Sequence, residues 1–81
     1  MGIVYSRRFL RCLESAPPAV QKAFFKRLSF LERNFHRPSL RAKKYDESIG
    51  LWQARVNLDW RFYFTIEGHE YRLHEIKSHP K

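Results

Sequence analysis

The 81-residue chain carries 16 Lys and Arg against 8 Asp and Glu, a formal net charge of +8. A chain of this length supports one domain with one modest core, and seven Phe, four Tyr and two Trp are enough to fill it. It holds no run of 18 apolar residues and its start, MGIVYSRRFLRCLESAPP, has no apolar stretch of signal-peptide length, so it reads as a cytoplasmic protein that engages no membrane. The lone Cys12 excludes an internal disulfide.

The first residues, GIVYS, are short, apolar and β-prone, and predict an edge or flanking strand. Ser6 then caps a basic helix, RRFLRCLES, with Phe9, Leu10 and Leu13 on its buried side. Pro17 and Pro18 break that helix and suit the first turn of a second one. There Val20, Phe24, Leu28, Leu31 and Phe35 recur at spacings of three and four, one face of an amphipathic helix that leaves Lys22, Lys26 and Arg33 outside. Pro38 ends the run, and RPSLRAKKYDESIG reads as a polar connector.

From Leu51 the period changes to two. In LWQARVNL the apolar residues are Trp52, Ala54, Val56 and Leu58; in the next strand they are Trp60, Phe62, Phe64 and Ile66. Such alternation predicts a sheet with one face on a core and the other open, displaying Gln53, Arg55, Asn57, Arg61 and Tyr63. Gly68 supplies a turn into a third strand, Glu70 to Lys77. Leu73 and Ile76 cannot both face inward on a regular strand, so a bulge is expected near His74. The predicted class is α+β, in the order β-α-α-β-β-β, with two N-terminal helices on one face of a small, mostly antiparallel sheet spanning residues 1–81.

The charge is unevenly spread. Residues 1–44 hold eleven basic and two acidic residues, a surplus of nine; residues 45–81 hold five and six. A field of that sign attracts phosphates or an acidic protein. Arg55 and Arg61 share the polar parity of their strands and project from the open face, where paired guanidinium forks suit a phosphodiester. The competing arrangement is that each pairs with a carboxylate such as Glu67 or Glu75. Lys43 and Lys44 lie close in sequence to the first strand of the meander, and His79 and Lys81 follow its last. Whether His79 and Lys81 reach the arginine-bearing rim depends on strand register. Histidine titrates near neutral pH and so is a candidate general acid or base. RNA carries its own nucleophile, the 2′-hydroxyl, so cations and one titratable group suffice to cleave it without a metal or other cofactor.

Other chemistries fit less well. His69, His74 and His79 recur every five residues, which alternates faces on a strand and does not converge on a metal. Cys12 lies among apolar neighbours and reads as a packed thiol.

The element order, the size, GLWQARVN, DWRFYF and the EIKSHPK ending together resemble the RelE/ParE superfamily of toxins from bacterial type II toxin-antitoxin pairs, over nearly the whole chain. The ending is similar to the messenger-RNA-cleaving branch. That resemblance implies an endoribonuclease that blocks translation, acting on messenger RNA at the ribosome and neutralised in a hetero-oligomer by a cognate antitoxin. It places Arg61 on the scissile phosphate, Arg55 beside it, His79 as proton donor or acceptor, and Lys43, Lys44 and Lys81 on the RNA backbone. No carboxylate stands where some members carry a glutamate base, since Asp46 and Glu47 lie nearer the strand, and the base is left open. Two alternatives share the fold: a ParE-like toxin that binds DNA gyrase without chemistry, and an inactive basic RNA-binding relative.

Overall fold

A computed structural model describes residues 2–34 and 37–79. The elements are β1 (Gly2–Tyr5), α1 (Arg7–Ser15), α2 (Pro18–Arg33), β2 (Lys43–Asp46), β3 (Leu51–Arg55), β4 (Trp60–Glu67) and β5 (Glu70–Ser78). They build one five-stranded sheet in the order β1-β5-β4-β3-β2, with β1 parallel to β5 and every other pair antiparallel. The α+β class and the helix pair followed by a meander are as the sequence predicts. The connector differs: Lys43–Asp46 pairs with β3 as a fifth strand, and two short 3₁₀ turns, Pro38–Leu40 and Glu47–Ile49, flank it. All four β2 residues are exposed, so no apolar alternation marked the strand.

Local chemistry explains the boundaries. Ser6 caps α1, its hydroxyl accepting from the Phe9 N–H at 3.0 Å. Pro17 and Pro18 occupy the N-cap and first position of α2, where a missing N–H costs nothing. The helix stops at Arg33, before Pro38, with the Asn34 N–H donating to the Phe30 carbonyl. The predicted Phe35 lies outside the described residues.

Phe9, Leu13, Val20, Phe24, Leu28 and Leu31 of the helices bury against Ala54, Val56, Phe62, Phe64, Leu73 and Ile76 of the sheet. The Phe24 ring meets Phe62 edge-on at 5.3 Å between centroids, so the helix layer covers the face the alternation predicted. Cys12 packs at the margin of this core. Leu10 is 48% exposed, against expectation, because α1 is too short to bury a second stripe. Leu58 is 70% exposed because β3 ends at Arg55 and the chain turns at once. That turn is held by the Asn57 Oδ1, which accepts from the Asp59 and Trp60 N–H groups, both at 2.9 Å.

The irregularity expected in the last strand is present. Tyr63 pairs with Glu75 and Phe64 with Leu73, leaving His74 as the extra residue, so Leu73 and Ile76 both face the core.

Candidate active site

The sheet face away from the helices carries the polar residues in cross-strand rows. Arg55 lies opposite Arg61, and Arg61 opposite Lys77, which sets three cations side by side across β3, β4 and β5. The next row reads Lys43, Gln53, Tyr63, Glu75. A cavity of about 330 Å³ opens at the end of these rows, lined by Arg41, Ala42, Lys43, Gln53, Arg55, Arg61 and His79. Four guanidinium or ammonium groups and one imidazole thus share one space, which no carboxylate among the described residues lines.

Each side chain has a local reason for its position. Arg61 folds back over its own hairpin: its Nη1 donates to the carbonyls of Asn57 at 2.7 Å, Trp60 at 3.0 Å and Leu58 at 3.2 Å. Those three carbonyls orient one edge of the fork. His79 follows β5, and its backbone N–H donates to the Asp59 carbonyl at 2.6 Å, tying the strand end to the same hairpin loop. Gln53 is buried and donates from Nε2 to the Tyr63 hydroxyl at 2.9 Å, forming a rigid floor. Arg41 enters from the first 3₁₀ turn with a left-handed backbone, φ 47°, and no other non-glycine residue among those described has a positive φ. For an arginine that conformation is strained, and strain of this kind gathers at functional sites.

Arg55 is the most constrained of the set. Its Nε is buried and has no hydrogen-bond partner among the described residues. Desolvation, then the charges of Arg41, Arg61 and Arg27, lowers its pKa from the ordinary arginine value. Glu67 and Glu75 do not neutralise the arginine pair; they pair with Arg72, and with Arg8 and Lys77. A phosphate seated between the two forks would satisfy the buried donor and screen the mutual repulsion at once.

Of the residues predicted from sequence, the fold brings Arg55, Arg61, Lys43 and His79 together. Lys44 is the exception: the pleat turns it to the opposite face, with Nζ 5.9 Å from the centre of the Trp52 ring. Lys81 lies outside the described residues. Asp46 accepts from the Ser48 N–H and hydroxyl at 3.0 and 2.6 Å, and neither Asp46 nor Glu47 lines the cavity. Arg41 and Lys77 were not singled out, since one sits in a turn without periodicity and the other in a strand blurred by the bulge. Their only sequence signal is proximity, one to the connector lysines and the other to His79.

Comparison of the fold with solved structures decides what kind of scaffold holds this cavity. The structure is similar to a YoeB/ParE toxin from Agrobacterium tumefaciens, at TM-score 0.82 and 13% identity, over 99% of this chain and 100% of that one. The chain has the fold of the YoeB, RelE and ParE toxins. A RelE-RelB complex from Pyrococcus horikoshii OT3 matches at TM-score 0.77 and 17% identity, covering 95% and 92% of the two chains. YafQ from an E. coli DinJ-YafQ complex matches at 0.67 and 22%, covering 95% and 91%. No family model matches the sequence, and no curated relative does either. On the toxin scaffold, the cationic cavity occupies the sheet face that the helices leave uncovered.

Proposed function

We propose that the protein is the toxin of a type II toxin-antitoxin pair and acts as an endoribonuclease on messenger RNA. The observation that carries this reading is the opposed Arg55–Arg61 pair, with an unpartnered buried donor, sharing one cavity with His79. The likeness to RelE, YoeB and YafQ toxins supports it at the level of fold.

In the proposed reaction the RNA 2′-hydroxyl gives up its proton to water and its oxygen attacks the adjacent phosphorus as the bond from phosphorus to the 5′-oxygen breaks, leaving a 2′,3′-cyclic phosphate and, once protonated, a 5′-hydroxyl. Negative charge grows on the non-bridging oxygens, where fixed guanidinium groups help most. Arg61 stabilises that charge and Arg55 binds the phosphate; His79 delivers a proton to the departing 5′-oxygen. Lys43, Arg41 and Lys81 hold flanking phosphates. Lys44, on the far face, has no part in the step and serves the general field. No metal is needed, because the nucleophile is built into the substrate.

A cognate antitoxin is the second partner, most simply an acidic segment laid across the open face. Supporting this, the matched folds include toxin-antitoxin complexes such as the YoeB-YefM heterotetramer from Staphylococcus aureus. The ribosome is the setting that reading implies.

The test is a cell-free translation reaction with a defined message, in which new 5′ ends are mapped by primer extension. Discrete cuts are expected, reduced about 10²-fold by Arg61→Ala. His79→Gln should also suppress them and flatten the pH dependence of the residual rate near neutrality. Intact message with the wild-type protein overturns the reading, and inhibition of gyrase supercoiling in its place would establish the non-enzymatic alternative.

A further inference from the structure

A second cavity, of about 550 Å³, crosses the same open face on the other side of the Gln53–Tyr63 row. Its floor is Thr65 of β4 and the bulged His74 of β5; Ile49 and Leu51 wall one side, and Ser6 and Arg8 at the start of α1 the other. Glu67 and Glu75 complete its lining. The volume falls in the range of roughly 300–1,000 Å³ usual for small-molecule sites.

The hydrogen bonding of this groove is the inverse of the cationic cavity's. Thr65 has one hydroxyl proton and gives it to Glu67 Oε2 at 3.0 Å. Its oxygen, 2.8 Å from His74 Nε2, is then left to accept from that nitrogen. Both ion pairs of Glu75, to Arg8 at 3.3 Å and to Lys77 at 3.9 Å, fall on Oε1, and its Oε2 makes none. The Glu67 contacts, from Thr65 and from Arg72 at 3.5 Å, likewise fall on Oε2. With the Arg8 guanidinium held by Glu75 Oε1 and the Ser6 hydroxyl directed at the His74 carbonyl, the groove offers chiefly acceptors beside an apolar wall, while the neighbouring cavity offers only cationic donors apart from Gln53 and His79.

Those two halves fit the two ends of one kind of ligand. Carboxylates repel phosphate, so the anionic part of a nucleotide belongs at the arginines, and what enters the groove must be flat, neutral and rich in donors. We infer that the groove is a nucleobase subsite that favours bases with an exocyclic amino group over uracil, with Glu75 the specificity-determining residue. Carboxylates accept from such amino groups, and Ile49 and Leu51 supply the apolar surface for the ring. The inference rests on the ribonuclease reading and deepens it.

The experiment titrates the ¹⁵N-labelled protein with inorganic phosphate, cytidine 5′-monophosphate and uridine 5′-monophosphate, following backbone amide shifts. All three should move Arg55, Arg61 and His79. The cytidine nucleotide should also move Thr65, Glu67 and His74, and bind at least about fivefold tighter than the uridine nucleotide, the low end of one matched base contact. In Glu75→Gln that advantage should fall below about twofold with phosphate binding unchanged; Glu67→Gln serves if loss of the Arg8 pair unfolds the first variant. Equal affinity for the two nucleotides, with shifts confined to the arginine cavity, overturns the subsite and leaves the ribonuclease reading standing. Failure of all three to reach Arg55 and Arg61 removes both.

Discussion

Two arginines show the cavity trading stability for charge. A cation whose pKa is lowered by folding is, in its charged form, disfavoured by the fold; the cost is present in full below the lowered value and fades as pH rises from there to the ordinary arginine value. Arg55→Met should therefore raise the thermal midpoint at neutral pH, while added phosphate, expected to raise the midpoint of the wild-type protein, should no longer do so. Arg41 offers an independent case, since its left-handed backbone suits glycine. Arg41→Gly should stabilise by about 1 kcal/mol, or ~4–8 °C in a domain of this size, and weaken phosphate binding. Calorimetry with and without phosphate reads both. A fall in midpoint in either variant would mean that the side chain contributes packing that outweighs its charge. Neither property was legible in the sequence: an alternation of polar residues gave Arg55 its face, but burial of one nitrogen and the sign of a backbone angle depend on the finished fold.

At the scale of elements, pattern was informative where one face is buried and silent where none is. Leu73 and Ile76, three apart on a strand, located the bulge at His74 because a core must receive both. β2 escaped notice because an exposed edge strand of Lys, Lys, Tyr and Asp has nothing to alternate. The same reasoning separates Lys43 from Lys44, which only pairing with β3 could assign to opposite faces. Bulge geometry leads to a deletion experiment. Removing His74 restores regular alternation with Leu73 and Ile76 still inward, so the shortened protein should melt cooperatively. Removing Arg72 turns Tyr71 out of the core and should abolish cooperative melting. Equal tolerance of both deletions would show that register is not set by the buried face. The hairpin loop is a second such element: Asn57→Ala removes two acceptor contacts and should cost about 1–2 kcal/mol. In the proposed reaction it should also lower cleavage, because the loop's carbonyls hold both the Arg61 fork and the His79 backbone.

Across the whole molecule, positive charge covers both layers, with Arg7, Arg11, Lys22, Lys26 and Arg33 exposed on the helices and the cavity on the sheet. Affinity for single-stranded RNA should fall linearly on a logarithmic salt axis, with a slope of about −0.7 for each phosphate neutralised. Loss of Arg55 should reduce that slope by one such step, and an unchanged slope would take Arg55 off the backbone. The charge imbalance between residues 1–44 and 45–81 is plain in the sequence. It does not reveal that the cationic cavity draws Arg41 and Lys43 from one part and Arg55, Arg61 and His79 from the other.

The parallel pairing of β1 with β5 has a consequence in time. Gly2 lies beside Glu70, so the first strand waits for the last before the sheet can close. Contacts so far apart in sequence form slowly, and here they are also missing until β5 has been synthesised. His79 follows β5, and the cavity it completes does not exist on a nascent chain that has yet to reach that strand. A chain proposed to attack translation would acquire its weapon only after both of these distant strands had been made.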